Sequence, residues 1–156
     1  MNQVNFRKYS ASDRNACKAA FKSNVPRFFT PGEVDDFEHF LTRLDDQANP
    51  DNPPYYVLIV GHEVIGCGGF GRKEESDAVT FVWGLIHHDY HKKGYGAQLL
   101  IFRLSEIKVQ FPGTQVILDT TQFSYSFFEK YGFKTVNITQ DFYAAGMHRY
   151  DMVLEH

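Results

Sequence analysis

The chain has 156 residues, of which 43% are hydrophobic and 22% are charged, and this is the composition of one globular domain. A net charge of −3 argues against a general affinity for nucleic acid or anionic membranes, so any anion site must be local. No segment approaches the ~20 apolar residues of a membrane span, and MNQVNFRKYS lacks the apolar core of a signal peptide. We therefore expect a cytoplasmic protein.

The first third of the chain is predicted to form one strand and two helices. VNFRKYS alternates as a strand does, and Ser10 can cap a helix that runs to Phe21. In TPGE, Thr30 suits the N-cap, Pro31 the first helical position and Glu33 the third position of a capping box. The apolar face of this second helix is marked by Val34, Phe37, Leu41 and Leu44.

The middle of the chain is predicted to form three antiparallel strands and a helix. YYVLIV and VIGCGGFG flank a tight GHE turn, and AVTFVWGLIH follows them. After the loop HHDYHKKGYG, apolar residues recur at helical spacing at Leu100, Leu104, Ile107 and Phe111.

The last third is predicted to hold a buried strand, a short helix and two further strands. QVILDT is the strand, and SYSFFEKY is the helix, which Gly132 ends. FKTVNI and MHRYDMVL are predicted as the final strands, and DFYAAGMHRY is predicted to form the last loop. The order β-α-α-β-β-β-α-β-α-β-β predicts one α+β domain over residues 1–156, with no role for His156.

The loop HKKGYG has the features of a diphosphate-binding site. The first turn of a helix offers unpaired N–H groups and partial positive charge, and Gly94 and Gly96 let a phosphate approach the backbone. An ordinary strand-to-helix turn with solvated lysines explains the same residues. A P-loop would need Lys-Ser/Thr after the last glycine, and a dinucleotide fingerprint would need a third glycine where Leu99 stands.

LIHHDYHKKGYGAQLL resembles motif A of the GCN5-related N-acetyltransferase (GNAT) superfamily, Val-x-Pro-x-x-Arg/Gln-x-x-Gly-x-Gly/Ala. Ile86 stands at the Val, His88 at the Pro, His91 at the Arg/Gln, and Gly94 and Gly96 at the two glycines. Downstream, FFEKYGF is similar to the FYEKLGF of motif B. The resemblance covers nearly the whole chain and implies a mixed, mostly antiparallel sheet with two splayed parallel strands, flanked by helices.

The resemblance implies that acetyl-CoA is the cosubstrate and that no metal is needed. Its pantetheine arm would bind the backbone of Leu85, Ile86 and His87. The diphosphate would bind the loop, and other contacts would come from the strand and helix that follow. These predicted contacts are His91, Lys92, Lys93, Gly94, Tyr95, Gly96, Ala97, Thr121, Phe127, Phe128 and Lys130.

The catalytic acid and base do not follow from the family pattern. Phe128 stands where many members carry a tyrosine that protonates the departing thiolate, and Tyr125, one helical turn away, is the candidate substitute. The strand before motif A offers no base at its inner positions Thr80, Val82 and Gly84. A water chain to Glu33 or Asp36 is our preferred route, with His87 a weaker candidate, although helix capping already explains Glu33.

The acceptor is expected to be a primary amine of a small molecule or a peptide. Phe28 and Phe29 would line one wall of the acceptor site, and Tyr143 and Phe142 would line the opposite wall. The acidic start of the second helix would attract a cation. Packing of the same aromatic residues on the sheet is the competing interpretation. A non-catalytic acyl-CoA-binding or sensing module is the alternative function. Dimers are common in the superfamily, so a homodimer is compatible with the resemblance.

The two cysteines are expected to be buried thiols, although a disulfide stays open. Cys17 and Cys67 lie far apart in sequence, outside both motifs and without metal-ligand spacing. Direct transfer of the acetyl group to the amine is therefore preferred over an acetyl-cysteine intermediate.

Overall fold

A computed structural model describes residues 3–73 and 76–154 of the chain. Within these ranges the chain forms seven strands and four α-helices, together with two short 3₁₀ turns at Ala11–Asp13 and His88–Tyr90. The strands are β1 Val4–Lys8, β2 Tyr55–Val60, β3 Glu63–Arg72, β4 Val79–Ile86, β5 Val116–Thr120, β6 Phe133–Ala144 and β7 Met147–Leu154. The helices are α1 Arg14–Lys22, α2 Glu33–Asp45, α3 Tyr95–Gln110 and α4 Tyr125–Glu129.

All seven strands belong to one sheet with the order β1-β2-β3-β4-β5-β7-β6. Every neighbouring pair is antiparallel except β4 and β5, which are parallel. These two strands pair only where they begin, at Val79 with Val116 and at Thr80 with Ile117. Beyond that point β4 continues beside β3 and β5 continues beside β7, so the sheet splits between its two parallel strands.

A β-bulge bends β4 beside this split. Trp83 and Gly84 both lie opposite Gly68 of β3, so β4 carries one residue more than its neighbour. Trp83 takes a φ of 34°, which is rare outside glycine, and its carbonyl accepts a hydrogen bond of 2.7 Å from the Tyr55 hydroxyl. The extra residue leads the end of β4 away from β5.

Helices cover both faces of the sheet. Phe21 of α1 and Leu41 of α2 are fully buried against one face, which carries Val57 and Leu85. On the other face, the α3 residues Leu99, Leu100 and Ile107 pack on strand residues that alternate with the first set. The open end of the split therefore lies between α1 and α2 on one side and α3 on the other.

The predicted element order and the predicted mixed, mostly antiparallel sheet are confirmed. Two boundaries differ from the sequence analysis. The capping box forms, with Thr30 N–H donating to Glu33 Oε1 at 2.9 Å, but α2 begins only at Glu33 because Pro31 and Gly32 form a turn. DFYAAGMHRY is mostly strand rather than loop, because β6 runs to Ala144 and β7 begins at Met147. The pairing of the two strands shifts its register between Thr139 and Ala144, where Asp141 has a φ of 54°. His156 lies outside the described residues.

Cys17 and Cys67 are both buried and both free thiols, as the sequence predicted. A hydrogen bond to Cys67, together with burial, raises the pKa of the Cys17 thiol far above its usual value, so it is unreactive. No helix within the described ranges is long and apolar enough to cross a membrane. The cytoplasmic location stays a prediction.

Candidate active site

The split between β4 and β5 opens into a cavity of about 1110 Å³. The end of β4 forms one wall and the end of β5 the other, and the start of α3 and the face of α4 continue them. In a regular sheet, ladder hydrogen bonds would fill this space. Because the ladder stops after two residue pairs, the cavity penetrates the sheet itself.

The start of α3 presents backbone N–H groups to the cavity. Gly94 precedes the helix in a left-handed conformation with a φ of 84°, which glycine adopts without strain. The helical ladder begins where Gln98 N–H donates to the Gly94 carbonyl at 3.2 Å. The N–H groups of Tyr95, Gly96 and Ala97 come before that bond, so they have no acceptor one turn earlier in the helix.

The surroundings of this helix start favour an anion. A Cβ added to Gly96 would stand 3.8 Å from Phe127, an ordinary contact distance, so Phe127 of α4 lies close beside this helix start. Lys92 lines the cavity and has a φ of 61°. Lys93 turns away, and its ammonium lies 5.7 Å from the centre of the Tyr90 ring.

The end of β4 is held by side chains that sequence analysis did not connect to it. The Ile86 carbonyl accepts from Asn24 Nδ2 at 2.9 Å and bonds to His91 Nε2 at 2.8 Å. His87 N–H donates to the Ile65 carbonyl of β3 at 2.7 Å. Two of the backbone groups predicted to bind pantetheine are therefore engaged within the chain, and the prediction for Leu85 stays open.

Asn24 leaves one polar atom without a hydrogen-bond partner. Its side chain is 4% exposed and its amide nitrogen donates to the carbonyls of Ala20 and Ile86. Its Oδ1 has no donor among the described residues, although Asn24 lines the cavity. A buried acceptor without a donor is costly, so this atom suits a ligand N–H.

The wall opposite β4 is acidic. Asp119, at the end of β5, lines the cavity and accepts a short hydrogen bond from the Tyr143 hydroxyl of β6. Burial and this hydrogen bond raise the pKa of Tyr143 far above its usual value, so the hydroxyl stays protonated and keeps donating to Asp119. Arg149 Nη2 lies 3.9 Å from Asp119, and its Nε lies 2.9 Å from Asp151. Glu33 lines the same cavity.

Aromatic side chains form the third wall. Phe28 contacts the His91 ring edge to face, with centroids 5.6 Å apart, and Phe123 at 6.1 Å. Phe29 stacks on the buried Phe21 at 4.3 Å, so it both packs the core and lines the cavity. Trp83 is placed by the bulge in β4, and it too lines the cavity. Phe29 therefore both packs on the core and lines the cavity, whereas Phe28 lines the cavity without packing on the core, and the role of both in acceptor binding stays a prediction.

The structure brings most of the predicted site residues to this one cavity. Those that line it are Phe28, Phe29, Glu33, Leu85, Ile86, His91, Lys92, Gly94, Gly96, Ala97, Thr121, Phe127, Phe128, Lys130 and Tyr143.

Five predicted residues do not line the cavity. Asp36 is exposed on α2, and Tyr125 stacks on Tyr150 with centroids 4.4 Å apart, so the catalytic roles predicted for them stay predictions without support from this cavity. The ring of His87 accepts from Asp89 N–H at 3.1 Å. Tyr95 and Lys93 pack against the Tyr90 ring, which leaves the Tyr95 contribution to its backbone N–H.

The short helix α4 contributes an apolar surface rather than a proton donor. Phe128 lines the cavity and packs on Phe133 with centroids 5.9 Å apart. The Thr121 hydroxyl accepts from Phe123 N–H at 3.2 Å, so it is used within the loop before α4. Within residues 3–73 and 76–154, no group of three or more His, Cys, Asp or Glu side chains could hold a metal ion.

Among the cavity residues that sequence reasoning missed are Asn24, Trp83, Arg103 and Asp119. Of these four, Asp119 was the most accessible to prediction, because it is a carboxylate near the end of the predicted buried strand QVILDT. Trp83 is placed by a bulge, and Asn24 and Arg103 are placed by contacts between distant segments, so no local sequence pattern could identify these three residues.

A sequence model described as Acetyltransferase (GNAT) domain matches residues 28–156. No curated protein sequence matches the chain. The matched range includes the whole cavity except Asn24 and Arg27.

Solved structures share the fold at low sequence identity. A GNAT-family protein from Desulfovibrio desulfuricans superposes with a TM-score of 0.81 at 20% identity, over 98% of this chain and 99% of that one. The ribosomal-protein-S18-alanine N-acetyltransferase of Escherichia coli superposes with a TM-score of 0.77 at 13% identity, over 97% of this chain and 93% of that one. An aminoglycoside 6'-N-acetyltransferase complexed with coenzyme A superposes with a TM-score of 0.72 at 12% identity, over 96% of this chain and 95% of that one.

Proposed function

Because this chain belongs to the GNAT acetyltransferase family, we propose that it transfers an acetyl group from acetyl-CoA directly to a primary amine of a small molecule or a peptide. One observation carries the proposal. A single cavity joins the free N–H groups at the start of α3 to the carboxylates of Glu33 and Asp119. The first feature suits a diphosphate, and the second suits a cationic amine.

The residues of the cavity fit the donor. The N–H groups of Tyr95, Gly96 and Ala97 would hold the diphosphate, with Lys92 as a charge partner. The orphan Oδ1 of Asn24 would accept from an amide N–H of the pantetheine arm. Bound acetyl-CoA would supply the acetyl group as a thioester.

Asp119 is the base that the geometry favours. An alkylammonium with a pKa near ~10.4 must lose a proton before its nitrogen can attack the thioester carbonyl. Asp119 stands in the cavity with a half-exposed carboxylate, and Tyr143 fixes its orientation by donating to Oδ2. It can take that proton directly or through one water. Asp36 is exposed on α2 and is not proposed for this role.

Solvent protonates the departing sulfur in this proposal. Phe128 has no proton to donate, and Tyr125 stacks on Tyr150 away from the cavity. The new C–N bond forms as the C–S bond breaks, and the nitrogen loses its second proton to solvent as the amide forms. The proton that Asp119 removed before the attack passes to water. Neither cysteine lines the cavity, which supports direct transfer without an acetyl-cysteine.

The acceptor class follows from charge and shape. Glu33 and Asp119 favour a compact cation over an anion at the acceptor end. Arg27 already lies over the Phe28 ring, with Cζ 5.3 Å from its centre, so Phe28 contributes shape rather than a free cation-binding face. Two proteins of the same fold are named for amine acceptors of different size, the alanine of ribosomal protein S18 and an aminoglycoside. A free small-molecule amine and a peptide amino terminus therefore both remain candidate acceptors.

Two assays test the proposal in sequence. Calorimetry with acetyl-CoA should show one site per chain, and a thiol-release assay over amines, polyamines and peptide amino termini should show turnover. Donor binding without turnover across the whole panel would favour the alternative, a non-catalytic acyl-CoA-binding module. Absence of donor binding would reject both.

A further inference from the structure

The cavity contains a buried arginine that the proposed reaction does not use. Arg103 lies on α3, is 4% exposed and lines the cavity. Its guanidinium lies over the ring of Phe81, with Cζ 3.9 Å from the ring centre. A Cβ added to Gly84 would stand 2.7 Å from both Nη1 and Nη2. The guanidinium thus fills the space that a side chain on β4 would otherwise take, directly beneath the bulge.

Arg103 has almost no hydrogen-bond acceptors. Its Nη1 reaches the Gly69 carbonyl at 3.5 Å, which is long for a hydrogen bond, and its Nε has no acceptor. In the described part of the chain, no carboxylate forms an ion pair with it. Burial lowers the pKa of Arg103 to about 10, so the group is still charged at neutral pH.

A buried cation without an anion destabilises a fold, and proteins pair such groups or bring them to a ligand. Arginine has five N–H donors in a planar fork, which matches a carboxylate with two parallel hydrogen bonds. The cation–π contact with Phe81 orients the fork but supplies no negative charge. The missing group is therefore an anion that enters the cavity.

The position of Arg103 assigns that anion to the donor rather than to the acceptor. Arg103 follows Tyr95 by eight residues, so it lies about 12 Å along α3 from the N–H groups that would hold the diphosphate. The pantetheine arm has roughly the length of four extended residues, about 14 Å. An arm that follows β4 from the start of α3 brings the acyl group beside Arg103, whereas Glu33 and Asp119 would hold the acceptor.

We propose that Arg103 binds a carboxylate at the far end of the acyl group, so that the protein also accepts thioesters of dicarboxylic acids such as malonyl-CoA and succinyl-CoA. The inference rests on the proposed function, because it uses the same donor site. The bonds that change are the same: the amine nitrogen forms a C–N bond with the thioester carbonyl, the C–S bond breaks, and the amine proton leaves to Asp119. The distal carboxylate is not altered.

Donor affinity tests this proposal. Calorimetry should show that succinyl-CoA binds the unmodified protein on the order of 10-fold or more tightly than butyryl-CoA, its uncharged counterpart of equal chain length. In Arg103→Met that preference should disappear, while binding of acetyl-CoA changes little. Arg103→Lys should keep part of the preference, because it retains the charge but loses the fork.

Lys130→Met is the matched control, since Lys130 is an exposed cation that lines the same cavity. It should leave the succinyl-to-butyryl ratio unchanged. An equal loss of affinity for all donors in Arg103→Met, or no preference in the unmodified protein, would overturn the carboxylate site. Failure of every donor to bind would instead reject the proposed function itself.

Stability without a donor gives a second readout. If Arg103 awaits a ligand, Arg103→Met removes an uncompensated charge, and the melting temperature of the free protein should rise. Succinyl-CoA should then stabilise the unmodified protein more than it stabilises the variant. A lower melting temperature for the free variant would mark Arg103 as a structural residue and contradict the proposal.

Discussion

The two sides of the cavity are built in different ways. On the donor side, the decisive groups are backbone N–H groups at one helix start, preceded by a glycine with a φ of 84°. On the acceptor side, side chains arrive from distant segments, with Glu33 on α2, Asp119 on β5 and Tyr143 on β6. The part proposed to hold the diphosphate is one continuous piece of chain, whereas the acceptor side exists only once the sheet has formed.

This difference predicts how each side responds to substitution. Loss of one side chain on the donor side should matter little unless it changes the backbone conformation or the local charge. On the acceptor side each side chain has its own role, so conservative substitutions should separate acceptor affinity, proton removal and leaving-group protonation. Four predictions follow this division, beginning with the largest effect.

Gly94→Asp should weaken coenzyme A binding by roughly 100-fold. The φ of 84° strains most residues with a Cβ, although least of all Asn and Asp, and a carboxylate at the helix start repels the diphosphate. Isothermal calorimetry measures the change, and circular dichroism verifies folding.

Gly94→Asn separates the two causes, because asparagine has nearly the same shape as aspartate, tolerates positive φ and carries no charge. It should lose far less affinity than Gly94→Asp. Equal losses in the two variants would show that strain, not phosphate charge, controls the site.

Asp119→Asn should lower turnover by about 100-fold while donor affinity stays within about twofold, because the amide cannot take the proton of the ammonium. Steady-state kinetics with a saturating amine and calorimetry with coenzyme A measure the two quantities.

Tyr143→Phe is the matched variant, since it removes only the hydroxyl that orients Asp119. Turnover should fall less than in Asp119→Asn. Should Asp119→Asn retain full turnover, the base would have to be sought elsewhere in the cavity.

Glu33→Gln should raise the KM for a cationic acceptor by about three- to tenfold with little change in kcat, because this partly exposed carboxylate would attract the amine. Glutamine can still accept from Thr30 N–H, so the capping box survives.

Glu33→Ala removes both the charge and the hydrogen bond from Thr30 N–H, and it should lower stability by about 1 kcal/mol in addition. Chemical denaturation of the two variants distinguishes capping from acceptor binding. An unchanged KM in Glu33→Gln would show that Glu33 caps the helix but does not attract the acceptor.

Phe128→Tyr should have the smallest effect, a change in turnover of less than about threefold, because the proposed reaction takes the leaving-group proton from solvent. A large gain in turnover would show that protonation of the sulfur limits the reaction and that the missing hydroxyl matters. The pH dependence of kcat, measured in both proteins, is the check.

The same division explains what the sequence could predict. Gly94 and Gly96 at a helix start are a local pattern, and element order follows from periodicity and turn residues. The fold and the helix start that is proposed to hold the diphosphate were therefore predictable. Asp119 and Asn24 were missed because their roles depend on which strand ends face each other. Tyr125 was assigned to the cavity by its spacing from Phe128, but stacking on Tyr150 turns its ring away.

The central claim is that the N–H groups at the start of α3 hold the diphosphate of the donor. Amide NMR of the labelled protein during titration with coenzyme A tests it most directly, with pantetheine as the ligand that lacks the diphosphate. The largest shifts with coenzyme A should fall on the amides of Tyr95, Gly96 and Ala97, and pantetheine should leave these three nearly unmoved. Shifts of the same size with both ligands, or coenzyme A shifts confined to another surface, would contradict the account.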